Sequence, residues 1–382
     1  MHGELHTDIL IAGGGIGGCA AALAVARAGY RAVLTEETDW IGGQLTAQAV
    51  PPDEHGWIER FGCTTAYRSF RDGVRQYYRD NYPMTDDARG QKYFNPGSGW
   101  VSPLCHEPRV ALAVLEAMLA PYVSSGQLSV LLEHRPITAE ILPGDLVAAV
   151  TFLNIRTGDK QTVSADYVLD ATELGELLPL ADVEFVSGSE SQDQTGEPSA
   201  AGMPDPHNNQ AMSVCFCVDH IEGEDHTIPR PAEYDYWRDF TPQLDPPWPG
   251  KLLDWNVPHP RTMEPLQYHF DPHGEPGRAF SGLWSYRRIL ARDNFLTGTF
   301  ASDICTINWP MIDYLGGDLL SGSEEDKAGH IAAAKQQSLS MLYWLQTEAP
   351  RTDDGRGFPG LRLRGDVVGT DDGLAKYPYI RE

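Results

Sequence analysis

The sequence predicts an α/β fold: a Rossmann-like dinucleotide-binding domain of parallel sheet, helices and a small antiparallel meander, joined to an aromatic-rich α+β domain. Three observations predict it. An apolar run, a glycine turn and an alanine-rich segment follow one another near the amino terminus. A second apolar stretch ends in Asp170-Ala171-Thr172. Beyond residue 186 the composition shifts to Ser, Gly and Pro and then to Pro, Trp, Tyr and His.

The elements can be taken in order. Asp8-Ile9-Leu10-Ile11-Ala12 is a short apolar run of the kind that forms a buried parallel strand. Gly13-Gly14-Gly15-Ile16-Gly17-Gly18 follows and matches G-x-G-x-x-G at Gly13, Gly15 and Gly18. Cys19 to Ala28 reads as a helix packed closely on a sheet, and Gly29 stops it. Arg31 to Glu36 is a second strand ending in an acid eighteen residues beyond Gly18. A lone glycine motif is weak evidence; the strand, helix, second strand and acid give this one its context. Gly13 permits the tight turn, Gly15 lets the backbone approach a pyrophosphate, and Gly18 allows close helix–strand packing. The helix start offers unpaired N–H groups to phosphates. Glu36 can accept hydrogen bonds from both ribose hydroxyls and repels a 2′-phosphate, which disfavours NADP. The competing reading is a glycine turn without a ligand.

Residues 51–104 read as a loop-rich insertion with a helix near Tyr67–Tyr78. Pro108 opens a helix that runs through Ala120. Leu128 to Leu132 is a third strand. Pro136–Ile141, Leu146–Asn154 and Gln161–Val163 form the meander, which leads into the strand ending at Asp170. Ala211 to Asp219 reads as a strand, and residues 324–347 as a helix with an acidic first turn.

Composition excludes several functions. The 29 Lys+Arg against 54 Asp+Glu give a net charge of −25, so nothing offers nucleic acid or an anionic membrane a basic face. Six cysteines without a C-x-x-C argue against a disulfide scaffold or a thiol redox centre, and cytoplasmic localisation is the default. Ile9 to Ala26 carries no charge over eighteen residues, but five glycines and a strand–turn–helix pattern oppose a membrane span. Cys215, Cys217 and His220 are a weak metal candidate; a shared strand face explains the cysteines more simply, and no metal is expected.

Trp40-Ile41-Gly42-Gly43-Gln44-Leu45-Thr46 follows the acid. With the glycine turn and the acid, this stretch resembles the FAD-dependent oxidoreductases of the glutathione-reductase-like superfamily. NAD dehydrogenases usually continue straight into another β-α unit. Asp170-Ala171-Thr172 resembles the strand end that lies beside the FAD phosphates in such proteins, with Glu173 where Gly is common. Ala181–Glu197, Tyr286-Arg287-Arg288, Asn308-Trp309-Pro310 with Asp313-Tyr314, Tyr343–Thr347 and Tyr377–Glu382 resemble one branch, the large FAD-dependent oxidoreductase family found mainly in bacteria.

The resemblance implies a discontinuous FAD-binding domain over residues 1–50 and 105–185. It implies a substrate domain over 186–382 that ends by starting the return to the FAD domain. It implies FAD on Gly13, Gly15, Ile16, Gly17, Gly18, Glu36, Glu37, Gly42, Gly43, Gln44, Thr46, Ala171 and Thr172, with hydride transfer to or from a small organic substrate. Members of the superfamily return to the FAD domain late in the chain. This chain stops at Arg381-Glu382 in what looks like mid-motif, with no helical periodicity after Gly365-Asp366. A carboxyl-terminally incomplete chain is the expectation.

Arg288 and Asn308 are the polar groups to place near flavin or substrate, and His259 is the candidate base. Each has a structural alternative: an ion pair for either arginine, a non-catalytic role for any histidine. The aromatic residues between 228 and 290 suit an organic pocket, or else fill an irregular core. Cys105-His106 as a covalent flavin link has no spacing rule behind it. A non-catalytic flavin-binding or remnant protein and an NAD-dependent dehydrogenase are the alternatives to a flavoenzyme.

Overall fold

One six-stranded sheet organises the amino-terminal half in the computed structural model, which describes residues 4–273 and 282–380. Its strands are β1 (Glu4–Ala12), β2 (Ala32–Glu36), β3 (Leu128–Leu132), β4 (His134–Leu142), β5 (Leu146–Asn154) and β6 (Lys160–Asp170). They lie in the order β3-β2-β1-β6-β5-β4. The first four are parallel, and β5 and β4 extend the sheet antiparallel. The described helices of this half that flank the site are α1 (Ile16–Arg27), α2 (Thr65–Asn81), α3 (Asp86–Gly90) and α4 (Pro108–Ser124).

Strand alternation divides the core. Leu10, Ala12 and Val33 face one side of the sheet with Val150, Phe152, Val163 and Leu177. Ile11 and Leu34 face the other, against Cys19, Ala22 and Leu23 of α1. Phe70, Val74 and Tyr78 of α2 and Val110, Ala111 and Leu115 of α4 join that second cluster, so the 51–104 segment shares the core of the parallel sheet.

Four expectations need correction. The third meander strand is not separate: residues 160–170 form one strand. Ser164 pairs with His6 on its parallel edge and with Ala149 on its antiparallel edge. The helix from Pro108 passes Pro121 and ends at Ser124, because a proline near the last turn removes one N–H while its own carbonyl still accepts from Ser125 N–H at 3.1 Å. One helical turn, Gly365–Val368, stands where periodicity gave none, closed by Gly369 in the left-handed region.

The second half is built on a four-stranded sheet in the order Arg288–Leu290, Ile304–Ile307, Phe216–His220, Leu361–Leu363. The strand expected over Ala211–Asp219 is broken, with Met212–Ser213 pairing instead with Asp313–Tyr314. Cys215 and Cys217 point into the core shared with α1 and α4, while Phe216 and Val218 point into a second core. That core holds Trp237, Trp255, Tyr268, Trp284, Trp309 and Trp344. The helix Glu324–Thr347 closes it, its start fixed by Ser323, whose Oγ accepts from Asp326 N–H. Most of the aromatic residues between 228 and 290 therefore fill the core. Ser187–Asn209 is largely exposed loop with one short turn, Gln192–Thr195. Among the described residues no helix is long and apolar enough to cross a membrane.

Candidate cofactor and active site

The carboxyl ends of β1, β2 and β6 converge, the place where open α/β sheets bind ligands. Gly13 leaves β1 at φ +102°, a conformation L side chains rarely adopt. Its N–H donates to Thr35 O at 3.1 Å, and Ala171 N–H donates to Ala12 O at 2.7 Å, so the three strand ends are stitched together. A Cβ on Gly13 would stand 2.0 Å from Ala171 O, and one on Gly18 would stand 1.9 Å from Gly13 O. The turn and the packing of α1 on β1 therefore require glycine at both positions. Gly15 caps α1 without a side-chain bond, and no acid stands in the first turn, so the positive end of α1 opens on the cleft.

Glu36 ends β2 and is buried. Its Oε1 accepts from Thr38 N–H and Thr38 Oγ1 at 2.8 Å each, and its Oε2 accepts from Gly14 N–H at 3.1 Å. Three of its four lone-pair positions are thus taken. One remains for a ribose hydroxyl where the sequence suggested two. Burial pushes this carboxyl up to about 7, Thr38 pulls it down, and the nearby Glu173 carboxylate adds to the rise. Glu37 is also pushed up to about 7, by burial and then by Glu176, against the pull of Arg135.

The second glycine turn abuts the first. Gly42 N–H donates to Gly14 O at 2.7 Å, and Gly42 lies at φ +108°. Thr46 Oγ1 donates to Ile41 O at 2.6 Å, so that side chain closes its own turn. Gln44 turns away from the glycines, with Nε2 donating to Pro51 O at 3.2 Å and to Asp53 Oδ2 at 3.4 Å. Thr172 Oγ1 donates to Asp170 Oδ1 at 2.6 Å and holds the loop after β6.

Some of these pieces line one cleft. Of the residues singled out in the sequence, Gly13, Gly15, Glu36, Glu37, Gly43, Ala171 and Thr172 line it, whereas Gly18, Gly42, Gln44 and Thr46 do not, and Ile16 and Gly17 line a separate cavity with Asp53, Glu54 and Phe70. Ala47, Gln48, His134, Glu173, Glu176 and Tyr377 were not foreseen there. Tyr377 had one signal, its place in the last resembling motif; that motif returns to the cleft where the Lys376 and Tyr377 amides donate to Ala47 O. Arg381 and Glu382 of the motif lie outside the described residues. The cleft has a volume of about 440 Å³, its open mouth included.

The proposed reactive residues are dispersed. Arg288 donates to Gly97 O at 2.7 Å and pairs with Asp303 at 2.7 Å, a structural ion pair. Its neighbour Arg287 points elsewhere: it lies 3.5 Å from Asp53, and its Nε and Nη1 make no hydrogen bond among the described residues. Asp53 also accepts from Tyr379 Oη at 3.3 Å. Asn308 is buried, and its Nδ2 has no hydrogen-bond partner among the described residues. His259 organises the turn between Asn256–Pro258 and Pro265–Gln267, its Nδ1 accepting from the Arg261 and Thr262 amides. Burial pushes the Cys105 thiol up to about 12 and the His106 ring down to about 4, so neither is ionised at neutral pH.

Composition hid one feature of residues 51–104, a buried network of Glu54 and Glu59 with Arg71 and Arg75 of α2. The spacing of Arg68, Arg71 and Arg75 along one helical face was its only trace.

A glycine turn on three parallel strand ends, with an acid closing the second strand, defines a dinucleotide-binding α/β protein. The family model described as FAD dependent oxidoreductase matches residues 8–382, and the chain belongs to that family, which makes FAD its cofactor. Among solved structures the chain is similar to an L-proline dehydrogenase from P. horikoshii (17% identity, TM-score 0.25, covering 44% of this chain and 23% of that one). It is similar to a myxobacterial FAD-dependent halogenase (14%, 0.28, 59% and 45%) and to the flavin-dependent monooxygenase PieE (16%, 0.31, 56% and 35%). The chain spans less than half the length of each. No curated protein matches it. The backbone of the cleft fits FAD: two glycine turns in contact leave room where any side chain would intrude. The Glu173 carboxyl reaches between Gly15 and Gly43.

Proposed function

We propose that the chain is a flavoenzyme that moves a hydride between a small organic substrate and FAD, with oxygen or another acceptor completing the cycle. The observation that carries this reading is the convergence of the three strand ends on one cleft walled by glycine backbone. Bound FAD supplies the hydride acceptor.

The residues of the chain bind and orient. The amides from Gly15 to Gly18 receive the phosphates at the start of α1, with Ile16 beginning the helix behind them. Glu36 fixes the ribose through its remaining lone pair, with Glu37 beside it. Gly42 and Gly43 let the backbone pass, while Thr46, Ala171 and Thr172 hold the walls. Gln44, Asp53 and Arg287 continue the line of the second glycine turn. Arg287 is a better candidate than Arg288 for an acidic substrate or for charge beside the flavin, because Arg288 is committed to Asp303 and two carbonyls. Asn308 stays a candidate through its unpartnered amide. His259 would have to leave its turn to act as a base.

The test is the visible absorption of the purified protein, before and after acid release, followed by anaerobic addition of small organic substrates. A flavin spectrum that passes to the supernatant and is bleached by one substrate class supports the reading. A flavin spectrum that dithionite bleaches and no substrate does favours a flavin-binding protein without catalysis.

A further inference from the structure

Glu173 stands between the two glycine turns. Its Oε1 lies 2.8 Å from the position a Cβ would take on Gly43 and 3.2 Å from that on Gly15. The same Gly43 position is 3.1 Å from Gly15 Cα, so the carboxylate rests in the seam between the two glycine turns. Gln48 Nε2 donates to Oε2 at 2.9 Å and holds it there. Among the described residues Glu173 forms no salt bridge.

We propose that Glu173 acts as an internal anion in the phosphate cradle, which FAD must neutralise or displace, so that Glu173 sets cofactor affinity and couples FAD uptake to a proton. The proposal rests on the reading that FAD seats on these strand ends. A carboxylate and a phosphate are both anionic, and the Glu173 carboxyl takes up space between the two glycine turns, close to the start of α1. The proton comes from solvent and adds to a carboxylate oxygen; no other bond forms or breaks. Enclosure raises this carboxyl above the ordinary range, Gln48 opposes the rise, and Glu176 adds to it.

Other titratable groups face the same space. Glu36 and Glu37 come from β2 and the residue after it, His134 from β4, Asp170 and Glu176 from the end of β6 and its loop, and Tyr377 from the returning segment. Because burial pushes Glu36 and Glu37 up to about 7, the proposal concerns the share of the pH dependence that Glu173 removes, not its whole.

The experiment is titration of the cofactor-free chain with FAD, read by flavin fluorescence between pH 6 and 8, for the wild type, Glu173→Gln and Glu173→Gly. The wild type should bind more tightly as pH falls. Both variants should bind at least about tenfold more tightly at pH 8, with a slope of log Kd against pH shallower by up to one, the signature of one proton. Equal affinity and equal slope in all three would leave the FAD reading standing and overturn the role of Glu173. Weaker binding by Glu173→Gln would make Glu173 a ligand of the cofactor and overturn the proposal as well. No binding by any of the three at any pH would remove the FAD seat itself, and the proposal with it.

Discussion

The two halves of the molecule solve opposite packing problems. Around the strand ends, side chains are missing where they matter, and the site is made by glycine backbone in contact with backbone. In the second half, large rings touch one another: Trp255 and Trp344 at 4.9 Å, Phe270 and Phe358 at 5.0 Å, Phe270 and Trp309 at 5.6 Å between centroids. The difference teaches that dense aromatic sequence marks filled space here, and the clustered glycines mark a cleft walled by backbone. The aromatic half should carry stability, and the glycine half should carry binding.

Substitutions can break or sharpen that contrast. Trp309→Ala empties a buried ring site and should lower unfolding stability by about 3–5 kcal/mol in denaturant titration. FAD affinity of the molecules that remain folded should hardly change. Gly13→Ala should destabilise by about 2–4 kcal/mol, because it combines a left-handed backbone with a Cβ forced against Ala171 O. It should abolish FAD binding as well, where Trp309→Ala does not.

Glu36→Gln tests the buried acid through pH. With its carboxyl raised to about 7, the folded state keeps a proton that the unfolded chain releases near 4.5. Stability contributed by Glu36 is therefore full below about 4.5 and is lost as pH rises through about 7, by at most about 3 kcal/mol. The Glu36→Gln protein should lack that fall, so the difference in Tm between it and the wild type should change across this window and be flat outside it. A constant difference from pH 4 to pH 8 would contradict the raised carboxyl. Gly17→Ala, by contrast, meets nothing within 4 Å and lies in the first turn of α1. It should change unfolding stability by no more than about 0.5 kcal/mol in denaturant titration, and a large loss would mean the cradle is tighter than it looks.

Much of the sheet half was legible in the sequence. The strand, turn, helix and strand from Asp8 to Glu36 announce themselves through local chemistry, and the helix 324–347 is bounded by its own capping residues. What was not legible depends on tertiary approach. The Gln161–Val163 stretch read as a third meander strand because its pattern is local; that it continues into the parallel strand is decided by β1 pairing along its other edge. Arg287 and Arg288 are indistinguishable in sequence, and only their partners, Asp53 and Asp303, separate them. Glu173 read as a departure from a glycine position. Its place between two glycine turns follows from the fold that brings residue 43 against residue 15.

The central claim is that FAD sits on the strand ends, and Gly15→Leu tests it most directly. Gly15 has backbone angles any residue can adopt, and a Cβ there meets only the Glu173 carboxyl, so the variant should fold while its side chain fills the cradle. Titration with FAD, followed by the flavin spectrum alongside far-UV circular dichroism, should show one saturable site in the wild type and none in the folded variant. Equal FAD binding by the folded Gly15→Leu protein would place the cofactor elsewhere and contradict the account.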